Sequence, residues 1–268
     1  MLHCRLKASP RLPQVVFMQR ILTKMLNILL PSHCLLCERT IFADQSAPQD
    51  HLCSQCRLAL PLNVHACHHC ALPLPPRSLG RSESVHSTCG PCITQPLADR
   101  TFAPLLHQGA GAYLLHRLKF NRGEAEGRTL AQIMLTQIRP QIAEARPDLL
   151  LPVPLNYWSL VRRGFNQSSL LATAIGKALT IPVADKLIAR RRGPAQRTLS
   201  RVQRQQLVKH SFVWRGQPKQ DLRNTYIAIV DDVLTTGATA QQIVWIVRQQ
   251  GAGRVDVWCA TRAEAVGG

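Results

Sequence analysis

Two adjacent carboxylates, Asp231 and Asp232, follow an apolar, β-branched run that begins near Tyr226. Such a run is typical of a buried parallel strand. A turn of threonines, alanine and glycine comes next, and apolar residues then recur at helical spacing from Ala240 to Val247. A helix N-terminus attracts phosphate, and paired carboxylates accept hydrogen bonds from ribose hydroxyls or hold hydrated Mg²⁺. The pattern therefore predicts a site for a sugar phosphate.

This order of residues resembles the phosphoribosyl-diphosphate (PRPP) motif of the type I phosphoribosyltransferases. The resemblance implies that Asp231 and Asp232 are the catalytic acids, and that Mg²⁺ enters the site with PRPP. The residues of the turn would bind the phosphate, with a glycine that lets the backbone approach closely. These residues are Val233, Leu234, Thr235, Thr236, Gly237, Ala238 and Thr239. The alternative is an ordinary strand–helix turn with an aspartate cap.

Eight of the ten cysteines fall in four C-x-x-C pairs. The pairs are Cys34/Cys37, Cys53/Cys56, Cys67/Cys70 and Cys89/Cys92. The first two pairs are 15 residues apart and the last two are 18 apart, which suits two four-cysteine zinc sites. We predict two Zn²⁺ ions, one on each consecutive set of four thiolates. Closed sites of this kind are structural, because they leave no open position for a substrate.

Other assignments of the cysteine pairs are open at this stage. The first pair could share an ion with the third, and the second with the fourth. Four histidines near the cysteines could replace a ligand. They are His33, His65, His68 and His69. Redox chemistry is disfavoured, because a redox C-x-x-C usually occurs once, at a helix start within a βαβ unit.

The chain of 268 residues carries a formal charge of +18, which favours polyanionic partners such as nucleic acid. Residues 1–99 hold 9 basic and 5 acidic residues, whereas residues 100–268 hold 24 and 10, so the basic character belongs mainly to the second part. A merely solvated basic surface is the alternative. No apolar run reaches the length of a membrane span. Residues 1–30 are expected to be a disordered extension or an over-long gene start.

Strands alternate with helices from about residue 99, which predicts an α/β fold with a parallel sheet and helices on both faces. We expect strands at 100–107, 148–154, 181–188, 225–230 and 254–260, and helices at 111–120 and 167–179. The domains are then an extension (1–30), a double zinc ribbon (31–98) and an α/β domain (99–268). Ligands of such sheets bind beyond the carboxyl ends of the strands, where the acid pair emerges.

A proline-framed loop ending at Pro154 precedes Arg162 and Arg163, and Asn166 and Gln167 then open a helix. Arginines can bind phosphate oxygens through two donors at once, so we predict a clamp for diphosphate or for a nucleic-acid backbone. Aromatic rings nearby could stack on bases. They belong to Tyr157, Trp158 and Phe165. The alternative is an arginine-rich helix entry with Phe165 in the core.

A second basic segment, Lys186–Arg223, holds 11 Lys and Arg residues and one acid. It includes three further candidates for the clamp. They are Arg190, Gln196 and Arg204. The segment could fold over diphosphate as a lid or hold a phosphodiester backbone. A solvated loop is the alternative.

The whole layout resembles the ComF/GntX family of competence-associated proteins, over about residues 33–262. The resemblance rests on the paired cysteines together with five segments. They are Leu118-Lys119-Phe120, Pro152–Leu155, Arg163–Gln167, Gln196-x3-Ser200-x3-Arg204 and Val230–Thr239. It implies a phosphoribosyltransferase-like domain behind a zinc-ribbon module, and it adds Lys119 to the clamp.

The family resemblance also implies a cytoplasmic protein of natural transformation that handles single-stranded DNA. Action at the inner face of the inner membrane is an open alternative. Other DNA-uptake proteins, helicase-like or channel-forming, are the expected partners. Two functions follow. One is DNA handling with PRPP as a bound ligand, and the other is an active phosphoribosyltransferase with an unidentified acceptor. A scaffold with a vestigial site has less support, because the acid, threonine and glycine set is intact.

Overall fold

The computed structural model of the chain describes residues 32–41, 51–75, 87–120, 123–143, 145–191, 211–216 and 222–263. The helices are α1 (Ser54–Leu58), α2 (Gly90–Thr94), α3 (Gly109–Phe120), α4 (Glu124–Ile142), α5 (Tyr157–Arg163), α6 (Gln167–Leu179) and α7 (Ala238–Gln249). The strands are β1 (Ser32–His33), β2 (Thr40–Ile41), β3 (Arg100–Phe102), β4 (Leu105–Leu106), β5 (Leu149–Pro152), β6 (Ile188–Arg190), β7 (Phe212–Trp214), β8 (Tyr226–Leu234) and β9 (Arg254–Arg262).

The central sheet is parallel throughout its described pairings and has the order β3-β9-β8-β5, with β4 also pairing with β9. Side chains of β8 alternate between two cores. Ala228 and Val230 join the core that contains α3, α4 and α6, whereas Ile227 and Ile229 join the core that contains α7. Because both faces of the strand are buried from Tyr226 to Val230, this part of its sequence has no charged residue. The predicted α/β fold with helices on both faces is confirmed.

Two of the predicted strands differ from the strands of the structure. The expected strand at 100–107 is two strands, β3 and β4, separated by Ala103 and Pro104. A proline lacks the N–H that a continuous ladder needs. The expected strand at 181–188 meets the sheet at one residue, Val183, which bridges Leu150. The strand after it, β6, pairs with β7 in a separate antiparallel ribbon.

Two further differences affect the site. Strand β8 does not end before the acid pair but continues through Asp231 and Asp232 to Leu234. The short helix α5, which the sequence pattern did not reveal, follows β5 and carries both arginines of the predicted clamp. The clamp residues therefore lie at the end of one strand, and the acids at the end of its parallel neighbour.

The cysteine-rich segments pack against the α/β domain on both sides of the sheet. Cys34 and Leu52 belong to the core of α3, α4 and α6, and Ala71 and Leu97 belong to the core of α7. The small ribbons thus share their apolar contacts with the large domain. In the described part of the chain, every helix is too short or too polar to cross a membrane.

Candidate functional site

The eight paired cysteines form two clusters in space. Within each set of four, the sulfur atoms all lie within 4.8 Å of one another. The first cluster holds Cys34, Cys37, Cys53 and Cys56, and the second holds Cys67, Cys70, Cys89 and Cys92. The pairing of consecutive C-x-x-C motifs is therefore correct, and the interleaved alternative is wrong.

The cluster geometry suits tetrahedral zinc. The Sγ atoms of Cys37 and Cys53 are 3.7 Å apart, and those of Cys70 and Cys89 are 3.6 Å apart. Zn–S bonds of about 2.3 Å give a sulfur–sulfur edge of about 3.8 Å in a regular tetrahedron. Backbone N–H groups also point at the sulfurs, since the N–H of Cys89 donates to Cys67 Sγ at 3.3 Å. The residues present fit two structural zinc ions.

Two of the histidines near the cysteines have other partners. His33 Nδ1 lies 3.0 Å from the carbonyl oxygen of Glu38, and His69 Nδ1 lies 2.9 Å from that of Ala98. Both clusters consist of cysteine sulfurs. The histidine contacts therefore stabilise the surrounding loops.

The predicted phosphate turn joins β8 to α7. Gly237 adopts φ +82°, a left-handed conformation that favours glycine, and it caps the helix N-terminus. Thr235 and Thr236 are exposed, and Thr236 Oγ1 accepts the N–H of Ala238 at 3.4 Å. The first N–H groups of a helix lack partners within the helix. The turn therefore offers hydroxyls and backbone donors at one point, where an anion can bind.

The two acids differ in their surroundings. Asp231 Oδ1 accepts hydrogen bonds from Ser168 Oγ at 2.9 Å and from the N–H of Asp232 at 2.8 Å. Removal of the Asp231 carboxyl from water, and then the negative charge of Asp232, raise the pKa of Asp231 well above its usual value. Asp232 Oδ2 forms an ion pair of 2.9 Å with Lys119 Nζ. Carboxylate oxygens are ligands that suit Mg²⁺, whereas the Lys119 ammonium competes with a metal ion for Asp232.

A basic cavity of about 300 Å³ lies beside this ion pair. It is lined by Lys119, Phe120, Val161, Arg162, Arg163 and Gly164. The guanidinium of Arg163 lies over the Phe120 ring, with 5.7 Å between its Cζ and the ring centroid. Lys119 is distant in sequence from the consecutive Arg162 and Arg163, and the structure brings these three predicted clamp residues together.

Two polar atoms of the clamp are buried and have no hydrogen-bond partner among the described residues. They are Arg163 Nε and Gln167 Nε2. Gln167 is 1% exposed, and its Oε1 accepts a hydrogen bond of 3.3 Å from Arg163. Buried polar groups without partners are rare, because each one loses its hydrogen bonds to water. Both atoms lie at the clamp, and each can donate one more hydrogen bond there.

The remaining clamp candidates lie in different places. Asn166 caps α6, since its Oδ1 accepts the N–H of Ser168 at 3.1 Å, and its Nδ2 donates to the carbonyl of Val153 at 2.9 Å. It thereby fixes the loop that contains Pro154. Arg190 lies on β6 with its guanidinium over the Phe212 ring, 5.4 Å from the centroid.

Gln196 and Arg204 lie outside the described residues, as do residues 192–210 and 217–221 of the basic segment and the N-terminal extension, residues 1–30.

Helix α5 carries an exposed aromatic and basic surface. Trp158 is 79% exposed and Tyr157 is 51% exposed, with their rings in edge-to-face contact. Arg162 is one helical turn from Trp158 and is also exposed. Phe165 packs instead against the hydrophobic core. The structure therefore favours the alternative interpretation, in which Phe165 belongs to the core.

Sequence analysis missed three residues of the site. Ser168 contacts Asp231, and its signal was its place in the first turn of the helix that Asn166 caps. His107 Nδ1 lies 3.1 Å from Thr261 Oγ1, and partial burial, followed by the charge of Lys119, lowers the pKa of this histidine. Arg262 donates to carbonyl oxygens at the start of the phosphate turn. Neither His107 nor Arg262 stands in a recognisable motif.

Comparisons with known proteins extend these observations. The family described as "Double zinc ribbon domain" matches residues 25–93. The "DNA utilization protein YhgH" of Escherichia coli O157:H7 is 30% identical over 248 residues, which cover 87% of this chain and 98% of the relative. "Competence protein F" of Haemophilus influenzae is 30% identical over 217 residues, which cover 79% of this chain and 90% of the relative.

Among solved structures, a purine phosphoribosyltransferase from Pyrococcus horikoshii matches 48% of this chain and 70% of its own, with 19% identity and a TM-score of 0.31.

Proposed function

The chain belongs to the ComF/GntX family, and on this premise we propose that it binds PRPP, or a related ribose 5-phosphate ligand, with Mg²⁺ and handles single-stranded DNA in the cytoplasm. One observation carries the proposal. The acid pair lies near the end of β8, the phosphate turn follows this strand, and a cavity lined by three cations adjoins the Lys119–Asp232 ion pair. Each of these features suits a different part of PRPP.

The 5-phosphate is assigned to the turn of Thr235–Thr239 and to the N-terminus of α7. The ribose hydroxyls, or the Mg²⁺ that accompanies PRPP, are assigned to Asp231 and Asp232, since carboxylates are hard oxygen ligands. Mg²⁺ would neutralise the diphosphate and fix its orientation. Ser168 holds one oxygen of Asp231, so that the second remains for the ligand.

The diphosphate is assigned to the basic cavity. Lys119, Arg162 and Arg163 line it, and their charged groups suit phosphate oxygens. Lys119 now pairs with Asp232 at 2.9 Å. When Mg²⁺–PRPP binds to Asp231 and Asp232, the Lys119 ammonium group can turn to the diphosphate. The same clamp would stabilise a leaving diphosphate, which is the observation that favours phosphoribosyl transfer as a second candidate function.

We expect Asp232→Asn to weaken the binding of Mg²⁺–PRPP by about tenfold to a hundredfold, because a charged contact contributes about 1.5–3 kcal/mol. The increase in melting temperature that saturating Mg²⁺–PRPP produces measures this loss of affinity. Asp185→Asn is the matched control, since Asp185 is exposed. An equal ligand-induced shift in wild type and Asp232→Asn contradicts the assignment of the acid.

Single-stranded DNA is assigned to the exposed face of α5 and the neighbouring cations. The names of the relatives, "DNA utilization protein" and "Competence protein F", support DNA as the polymer. The net charge of +14 that 24 basic and 10 acidic residues give to residues 100–268 supports a polyanion. Trp158 and Tyr157 offer rings on which bases stack, and Arg162 offers a phosphate contact. DNA-uptake proteins of helicase or channel type are the proposed protein partners.

We expect Trp158→Ala to weaken binding of an oligothymidylate by about tenfold, since stacking of one base contributes about 1–3 kcal/mol. Fluorescence anisotropy over a salt series measures the affinity, which should fall steeply as salt rises. Trp245→Ala is the matched control, because Trp245 is 62% exposed and lies on α7. Equal losses for the two variants contradict stacking at α5, and absence of binding at low salt contradicts DNA handling as a whole.

A further inference from the structure

Arg262, the last residue of β9, is 6% exposed, and its guanidinium bridges two parts of the molecule. Its Nε donates to the carbonyl oxygen of Cys70 at 3.0 Å. One terminal nitrogen donates to the carbonyl oxygens of Leu234, at 3.0 Å, and Thr235, at 2.6 Å, and also to that of Ala263. A planar guanidinium holds several acceptors in fixed directions, so these groups are positioned relative to one another.

The first end of this bridge is the second cysteine cluster. Cys70 belongs to that cluster, and the two carbonyls that precede its own are also held by the α/β domain. The N–H of Thr101 donates to the carbonyl of His68 at 2.8 Å, and Thr101 Oγ1 donates to that of His69 at 2.7 Å. A metal ion that fixes the sulfurs of this loop therefore also fixes the row of carbonyls that Thr101 and Arg262 contact.

The other end of the bridge is the entrance to the phosphate turn. Leu234 is the last residue of β8, and Thr235 is the first residue of the turn. Leu97 of the same ribbon also lies next to the turn. A Cβ built on Gly237 would be 3.4 Å from Leu97 Cδ1. The second cluster and the segment that follows it thus support the turn at its entrance and at its glycine.

The first cluster has a different neighbour. The N–H of His51, two residues before Cys53, donates to Thr129 Oγ1 of α4 at 3.3 Å. Cys34 packs in the core of α3, α4 and α6. The chain therefore contains an internal comparison, because each of its two clusters has four cysteine ligands. Arg262 connects the second cluster to the phosphate turn through its hydrogen bonds.

We propose that Arg262 is a positioning residue that couples metal binding in the second cysteine cluster to the conformation of the phosphate turn. Metal in the first cluster stabilises the fold without setting the turn. The ligand part of this inference depends on the proposed function, because the turn is assigned to the 5-phosphate there. The conformational part does not, since the backbone of Thr235–Thr239 can be observed without a ligand.

The experiment compares Arg262→Met and Arg262→Lys with wild type in the full, zinc-loaded chain. We expect both variants to keep two zinc ions. Amide hydrogen exchange over residues 235–239 should rise at least tenfold in Arg262→Met and less in Arg262→Lys, because a lysine keeps one of the donors. The dissociation constant for Mg²⁺–PRPP should rise at least tenfold in Arg262→Met. Unchanged exchange over 235–239 in Arg262→Met overturns the proposal.

The two clusters are then compared by Cys92→Ser and Cys37→Ser, each of which should leave one zinc ion per chain. Exchange over 235–239 should rise in Cys92→Ser and stay at the wild-type rate in Cys37→Ser. An equal rise in both variants overturns the coupling. If the variants change the exchange over 235–239 as expected but the wild-type chain does not bind PRPP, the proposed function is wrong. The coupling of the second cluster to the turn is then still supported.

Discussion

Gly237→Val abolishes the binding of Mg²⁺–PRPP while leaving a folded chain. Gly237 has φ +82°, and a left-handed conformation costs an L-residue about 1–2 kcal/mol, and more when the side chain is β-branched. The added Cβ would lie 3.4 Å from Leu97 Cδ1, which is an ordinary contact, so the strain comes from the backbone conformation. The turn must therefore shift, and its backbone donors lose their common direction. We expect affinity to fall by at least a hundredfold.

The matched control is Gly251→Val. Gly251 has φ +94°, and it lies between α7 and β9, at the opposite end of the helix from the phosphate turn. The two substitutions should lower the melting temperature by similar amounts, and Gly237→Val alone should lose the ligand-induced shift. Loss of binding in both variants would mean that general destabilisation explains the effect.

Removal of zinc should be the largest change in stability. Structural zinc sites contribute apparent binding free energies of about 10–16 kcal/mol in zinc-finger peptides. Here the ribbons also supply Cys34 and Leu52 to one core and Ala71 and Leu97 to the other, so loss of metal exposes both cores of the large domain. We expect chelation under reducing conditions to lower the melting temperature by more than 10 °C, and zinc analysis of untreated protein to give two ions per chain.

Cys259→Ala is the control for the cysteine substitutions. Cys259 is fully buried in β9 and lies outside both clusters. This variant should keep two zinc ions, whereas replacement of any cluster cysteine should leave one. A count of one zinc ion in the wild-type chain would contradict the two-site arrangement.

Much of the site was predictable because its chemistry is local in sequence. The acid pair, the threonines and Gly237 are consecutive, and each C-x-x-C pair is a compact unit, so their types and spacing alone predicted the turn and both clusters. The parallel sheet was likewise expected, because strands alternate with helices along this part of the chain.

The long-range contacts were not predictable from patterns. Lys119 meets Asp232 across 113 positions of sequence, and Arg262 meets Cys70 across 192. No periodicity or spacing rule links the partners of either pair, and tertiary packing alone brings them together. Helix α5 was missed for another reason. Tyr157–Arg163 is only seven residues long, so Tyr157, Leu160 and Val161 give too short an apolar pattern to predict a helix, and none of its residues is buried.

Titration calorimetry of the zinc-loaded chain with PRPP, with and without Mg²⁺, tests the proposed ligand most directly. We expect one PRPP per chain in the presence of Mg²⁺, much weaker binding in its absence, and loss of the heat signal in Gly237→Val. Ribose 5-phosphate should bind more weakly, because it lacks the diphosphate that Lys119, Arg162 and Arg163 would hold. No heat from millimolar Mg²⁺–PRPP with a chain that carries two zinc ions would contradict the assignment of Asp231–Thr239 as a PRPP site.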